Sequence, residues 1–99
     1  MKYDINLNIH YTAPEEVWIA IEEVYRSMPY WAGYNKEVRW TGTEIDLWAS
    51  VEPSGIQIAG VMPESIWDEW YDSLKNKLTQ SLGYQIGEPE EGFDFKYWK

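Results

Sequence analysis

Few side chains in this chain could carry acid–base or nucleophilic chemistry. His10 is the only histidine, and cysteine is absent. A histidine paired with a carboxylate could act as a general base, but alternation places His10 on the polar side of a predicted strand, where a lone histidine is usually passive. Ser50, Ser54 and Ser65 lack the Gly-x-Ser-x-Gly setting of a nucleophilic serine. The sequence therefore predicts no catalytic residue, and we expect a protein that is not an enzyme.

Cofactor and metal sites also lack a recognisable pattern. Without cysteine there can be no thiolate metal site, and the chain has neither a glycine-rich phosphate loop nor a metal-ligand spacing. The adjacent carboxylates of Glu15–Glu16 and Glu22–Glu23 fall on a predicted helix, where neighbouring residues do not share a face. We interpret them as solvated charge and expect no cofactor and no metal.

The charge balance limits the partners. Acidic residues outnumber basic residues by seventeen to eight, and the formal net charge is -9. Such a chain repels phosphate backbones and anionic membranes, so we expect neither nucleic acid nor a membrane as a partner. A basic protein would instead be attracted, and its encounter with the chain would be accelerated. The acidity could equally serve solubility alone.

The length of the chain and the composition of its segments indicate a single domain. Ninety-nine residues suffice for one core, so residues 1–99 should form a single domain. Residues 1–6 lack the apolar centre of a signal peptide, and no apolar run is long enough to span a membrane. We expect a soluble protein in the cytoplasm.

The stretch from Glu44 to Val61 organises the predicted fold. Apolar residues alternate from Ile45 to Val51, which is the period of a strand with one buried face. A turn at residues 52–55 leads into a second β-rich run, so the two runs should form an antiparallel hairpin. The face of the first strand that points away from the core then carries a large aromatic ring flanked by carboxylates: Asp46, Trp48 and Glu52.

The N-terminal half supplies a strand and a helix. Alternation from Tyr3 to Tyr11 predicts a second strand with one buried face. Thr12 and Glu15 match a capping box, and apolar residues at helical spacing follow until Pro29. The stretch from residue 29 to residue 43 has no clear period, and we expect a loop there with a short extra strand at residues 38–40. Three aromatic side chains in that loop could cover the core or line a site: Tyr30, Trp31 and Tyr34.

The C-terminal half supplies a second helix and further strands. Apolar residues at three- and four-residue steps predict a helix that opens at residues 62–65 and continues to Leu82, ended by Gly83 in the left-handed conformation. Residues 84–86 read as a short strand, and the alternating run from Phe93 to Trp98 reads as the last strand. The acidic turn between them contains Glu90 and Glu91.

The predicted element order is β-α-β-β-α-β, which a ferredoxin-like α+β sandwich satisfies. In that fold an antiparallel sheet carries both helices on one face, and the last strand could be split into a hairpin. Trp18, Trp67 and Trp70 should pack in the core. The sheet face away from the helices, here called the outer face, should remain open, and it should present Trp48 and Trp98.

The outer face suggests binding rather than chemistry. Exposed aromatics on an open sheet can stack nucleic-acid bases, but Asp46, Glu52 and Asp94 on the same face would repel the phosphates. Tryptophan and tyrosine, of which the chain has seven and eight, are also the side chains that dominate protein–protein hot spots. Carboxylates around them would pair with lysine and arginine side chains of a basic protein.

Three motifs add a resemblance. The run from Ser50 to Gly55, the pair Trp67-x-x-Trp70 and the run from Leu82 to Gly92 resemble small immunity proteins of bacterial polymorphic and contact-dependent growth inhibition toxin systems. The resemblance covers the C-terminal half. It implies a cytosolic inhibitor that binds a cognate toxin domain, of the basic nuclease type, and blocks its active site or substrate groove.

The leading hypothesis is therefore an immunity protein whose partner-binding residues are Asp46, Trp48, Glu52, Glu90, Glu91, Asp94 and Trp98. The first alternative is a small-molecule-binding or catalytic α+β domain, with a pocket lined by Tyr30, Trp31 and Trp40 near His10. The second alternative is a homodimer that buries the outer face of one copy against another.

Overall fold

A computed structural model of the chain describes residues 1–96, apart from the side chain of Asn35. Those residues form five strands, two α-helices and one 3₁₀ turn. In chain order the elements are β1 (Lys2–Leu7), α1 (Glu15–Ser27), β2 (Trp31–Asn35), β3 (Glu37–Gly42), β4 (Ile45–Glu52), β5 (Gly55–Val61), α2 (Glu64–Leu82) and the 3₁₀ turn (Pro89–Glu91).

The strands form a single antiparallel sheet in the order β1-β5-β4-β3-β2. The α+β class with an antiparallel sheet is confirmed, but the ferredoxin-like order is not. That order needs a strand after the second helix, and residues 83–96 contain none. The extra strands come from residues 31–42, where we expected a loop: the short strand at residues 38–40 is present as part of β3, and β2 pairs with it.

Strands β2 and β3 form because their tryptophans reach the core. Trp40 is fully buried, and its ring meets those of Tyr25 and Trp70 at centroid distances of 5.1 Å each. Trp31 packs edge-on against Trp40 at 6.0 Å. Aromatic residues therefore stabilise this hairpin through burial and ring geometry, which residue-by-residue alternation did not reveal.

Both helices pack on one face of the sheet. Leu47 and Ile58, which lie on neighbouring strands, belong to the same core as Ile21 of α1 and Leu74 of α2. Trp67 and Trp70 are buried in this core, as expected, whereas Trp18 is half-buried and its indole N–H donates to the carbonyl of Ala13 at 2.9 Å. The predicted alternation on β4 is also confirmed, because Ile45, Leu47 and Ala49 are buried.

Val51 is an exception, because it faces the helices yet is 52% exposed. The helix α1 does not cover the end of β4, and a cleft of about 290 Å³ opens there between Trp18, Tyr34 and Val51. The predicted alternation was correct for the direction of Val51 but wrong for its burial.

The end of α2 agrees with the sequence prediction, whereas the N-terminal cap of α1 differs from it. Gly83 closes α2 at φ 78°, in the left-handed region that glycine adopts without strain. The capping box at Thr12 is not formed: Pro14 is the N-cap, and Thr12 Oγ1 lies 2.8 Å from His10 Nδ1 instead.

Residues 84–96, here called the C-terminal segment, contain neither of the two strands that we expected in them. The segment crosses the end of β1, where the buried Asn8 side chain bonds its backbone at Gln85, Gly87 and Asp94. These side-chain bonds replace a strand ladder. The expected last strand extends to Trp98, and residues 97 and 98 lie outside the described residues.

Candidate protein-binding surface

Trp48 lies near the centre of the outer face. Strand pairing places it between Ala59 of β5 and Arg39 of β3, and Asp4 of β1 lies opposite Ala59 on the far side. Because every second residue of a strand points to the same face, these four side chains form a row across four strands. Trp48 is half-buried in this row, so part of its ring packs against its neighbours while the rest stays exposed.

Arg39 holds the Trp48 ring and the adjacent carboxylate in place. Its guanidinium carbon lies 5.5 Å from the centroid of the Trp48 ring, within cation–π range. Its Nη1 donates to Asp46 Oδ1 at 3.0 Å, and its Nη2 lies 3.8 Å from Glu37. Asp46 therefore already has an internal cation, although its side chain is 53% exposed.

A shallow cleft of about 390 Å³ lies beside Trp48. Its lining includes Ala59, whose small side chain leaves room above the sheet, and the adjacent Gly60. The polar and apolar walls are formed by Lys2, Asp4, Asp46 and Val61. An alkyl stem that packs on Trp48 would bring a terminal amine or guanidinium close to carboxylates.

The predicted site residues of the C-terminal segment line clefts other than the one beside Trp48. Glu90 and Glu91 are exposed, and Glu90 borders a small cleft with Asp4 and Asn6. Asp94 is exposed and lines a different cleft together with His10. The structure therefore brings Asp46 and Trp48 together, but it does not place the acidic C-terminal residues beside them. Glu52 is half-buried at the last position of β4, six positions from Asp46, and Trp98 lies outside the described residues.

Two important residues were not identified from the sequence. Asn8 lies between Leu7 and Ile9 in the alternating run, which predicts a side chain on the outer face, but this side chain is completely buried and bonds the C-terminal segment. Arg39 was assigned to a short strand without a role. Arg39 lies opposite Trp48 because of the register between β3 and β4. Aligning the residues of these two strands in the sequence would therefore have predicted their contact.

The pocket expected for a small-molecule ligand is divided between separate places. Tyr30 lines a cleft of about 310 Å³ with Pro29 and Trp70, whereas Trp40 is fully buried. His10 lines another cleft, and its ring stacks on Tyr11 at 4.4 Å. Within residues 1–96, no carboxylate lies within hydrogen-bonding distance of the His10 ring. Tyr30, Trp40 and His10 thus do not form one site.

Residues 1–96 contain neither a metal-ligand cluster nor a membrane-spanning helix. No group of three or more histidine or carboxylate side chains among residues 1–96 could hold a metal ion. Over the same residues, neither helix has the length and apolar character needed to cross a membrane. No protein family model matches the chain, and neither a characterised protein nor a solved structure is significantly similar to it.

Proposed function

We propose that this protein is an immunity protein that binds a basic, nuclease-type bacterial toxin domain and blocks its active site. The observation that carries the proposal is Trp48, a half-buried tryptophan at the centre of the outer face with a cleft beside it. Tryptophan is among the commonest hot-spot residues, because it buries a large area while losing few rotamers.

The contacts of Trp48 favour binding through a rigid anchor. Arg39 contacts the ring and bonds Asp46, so both side chains are held before a partner arrives. A side chain that is already ordered loses little conformational entropy on association, and this raises affinity. Arginine itself is enriched in interfaces, so the pair of Trp48 and Arg39 would form the centre of the contact.

The size of the outer face indicates that its rim takes part. Four inter-strand spacings of about 4.8 Å and strands of roughly 20 Å in length give a planar area of ~400 Å². A stable interface buries about 800 Å² on each partner. Glu52, Glu90, Glu91 and Asp94 would supply rim contacts, and the net charge of -9 would attract a basic partner from a distance.

The experiment pairs this protein with the product of the gene immediately upstream of its own. The activity of that product is measured with increasing amounts of wild-type protein, of Trp48→Ala and of Tyr11→Ala. Tyr11 is 52% exposed and lies after β1, away from the Trp48 row, so it is a matched aromatic control. We expect stoichiometric inhibition by wild type and by Tyr11→Ala, and weaker inhibition by Trp48→Ala.

Two outcomes would contradict the proposal. If the upstream gene product is neither bound nor inhibited, a toxin domain is excluded as the partner. A wild-type protein that is dimeric by light scattering and becomes monomeric in Trp48→Ala would assign the outer face to a homodimer.

A further inference from the structure

The strand β1 forms one edge of the sheet, and its outward backbone groups can be identified from the pairing pattern. Met1 and Met62 exchange two backbone hydrogen bonds, at 3.2 and 3.1 Å. In an antiparallel ladder such pairs recur at every second residue, so Tyr3, Ile5 and Leu7 bond β5 through their backbone. The N–H and C=O groups of the alternate residues, at positions 2, 4 and 6, therefore point away from the sheet.

The chain itself already pairs with this edge at one position. The next outward amide is that of Asn8, and it donates to the carbonyl of Gly87 at 3.0 Å. The chain then turns away at Pro89, which has no N–H to donate, and enters the 3₁₀ turn. Within residues 1–96, no strand lies beside positions 2–6 on the edge of β1 that points away from β5.

Carboxylates lie around this edge of β1. Asp4 lies on it, and Glu88 and Glu90 border the small cleft at Ile5. On the helical side, Glu64 and Asp68 lie close enough to add to the rise in the Tyr3 hydroxyl pKa, of which burial is the largest cause. Lys2 is the cation of this strand. Among the described residues, this edge therefore combines backbone groups that have no strand partner with a negative field.

We propose that the outer edge of β1 binds an extended basic segment of a partner protein, which adds to the sheet as a sixth strand. Backbone hydrogen bonds would supply affinity, as in other cases of strand addition, and lysine or arginine side chains of the segment would face the surrounding carboxylates. A second copy of this chain is a poorer occupant, because pairing two such edges would bring like charges together. The proposed strand addition uses the backbone edge of β1, which shares Asp4 with the Trp48 row, but it does not require a partner that contacts Trp48.

The test uses a synthetic seven-residue peptide that alternates lysine and valine, with a glutamate–valine peptide as the charge control. Binding is followed by NMR titration of the full chain. We expect the lysine peptide to shift the amide resonances of residues 2–6, and the glutamate peptide to leave them unchanged.

Two substitutions at one position separate backbone pairing from charge. Asp4→Pro removes an outward N–H without breaking a bond to β5, which is the position where an edge strand tolerates proline. Asp4→Ala removes the carboxylate but keeps the N–H. We expect Asp4→Pro to weaken the binding of the lysine peptide at least tenfold relative to Asp4→Ala.

Three results would overturn the proposal: no binding of the lysine peptide to wild type, equal binding to the two variants, or a wild-type dimer that Asp4→Pro separates. If Asp4→Pro does not fold, a lysine–valine peptide methylated at alternate backbone nitrogens tests the same point on the unmodified protein. Methylation should then abolish binding, and undiminished binding of the methylated peptide would contradict strand addition.

Discussion

Asn8 and Gly87 exchange two hydrogen bonds across the end of β1. The backbone N–H of Asn8 donates to the carbonyl of Gly87 at 3.0 Å, and the N–H of Gly87 donates to Asn8 Oδ1 at 2.8 Å. The buried Nδ2 of Asn8 also donates to the carbonyls of Gln85 and Asp94, at 2.9 and 2.7 Å. One side chain thus fastens the C-terminal segment to the sheet without a strand ladder.

Removing the Asn8 side chain should destabilise the fold strongly. Asn8→Ala leaves one amide and two carbonyls without their partner, and each buried group that loses its bond costs about 1–3 kcal/mol. We expect the free energy of unfolding to fall by at least ~3 kcal/mol in urea titrations. Asn6→Ala is the control, because Asn6 accepts only a surface bond from Ser54. Equal losses in the two variants would contradict this role of Asn8.

Gly87 is required for space, whereas Gly83 is required for backbone conformation. A Cβ at Gly87 would lie 2.5 Å from the Phe93 ring, but one at Gly83 would meet nothing within 4 Å. Gly87→Ala should cost about 1–3 kcal/mol through overpacking. The loss should shrink in the Phe93→Ala background, because the clash is then absent.

Gly83→Ala should cost about 1 kcal/mol from left-handed backbone strain alone. Its cost should be the same with or without Phe93. Thermal or urea unfolding of the four variants and the two parents measures both coupling energies, and an unchanged cost of Gly87→Ala in the Phe93→Ala background would rule out the steric explanation.

The hydroxyl of Tyr3 lowers the stability of the fold, and a single substitution can remove it. Its oxygen is buried without a hydrogen-bond partner among the described residues, while its ring stacks on Trp67 at 3.8 Å. Tyr3→Phe keeps the stack and removes the unpaired group, so stability should rise by about 1 kcal/mol. Tyr71→Phe should lower it, since that hydroxyl donates to Glu88 Oε2 at 3.0 Å. A loss of stability in Tyr3→Phe would show that its hydroxyl has a partner.

Two tyrosines should make the fold sensitive to alkali. Burial raises the pKa of Tyr25 and Tyr71 well above the usual 10, and the Glu88 carboxylate adds to the rise at Tyr71. Above pH 10 the unfolded chain loses these protons while the folded protein keeps them, so the folded state binds more protons and stability falls as pH rises.

Below pH 10 their contribution should be complete and independent of pH. Each tyrosine can add up to ~1.4 kcal/mol per pH unit to the alkaline slope. Urea unfolding at a series of pH values above 10 should give a shallower loss of stability with pH for Tyr25→Phe than for wild type. Identical slopes would contradict the perturbed titration of Tyr25.

Local sequence signals predicted the elements whose stabilising contacts are near in sequence. The hairpin of β4 and β5 follows from alternation and from a turn with proline and glycine. The end of α2 follows from Gly83, which needs only its own backbone conformation to act as a cap. In these cases a few adjacent residues contain the whole physical cause.

Elements that depend on distant partners were not predictable in this way. Asn8 alternates as an outward residue, but its partners lie 77 to 86 positions further along the chain. The strand β2 forms because Trp31 meets Trp40 and the core behind it. At the candidate site, Trp48 and Asp46 could be placed from alternation alone, whereas the Arg39 contact required the register between β3 and β4.

The binding kinetics of Trp48→Ala with the proposed toxin partner test the central claim most directly. Truncating a hot spot costs at least ~2 kcal/mol, or roughly thirtyfold in affinity, and acts mainly on dissociation. We therefore predict a much faster off-rate for Trp48→Ala, an unchanged off-rate for Tyr11→Ala, and a slower on-rate for the rim variant Glu91→Ala. A folded Trp48→Ala protein that dissociates as slowly as wild type would contradict the assignment of the outer face as the binding site.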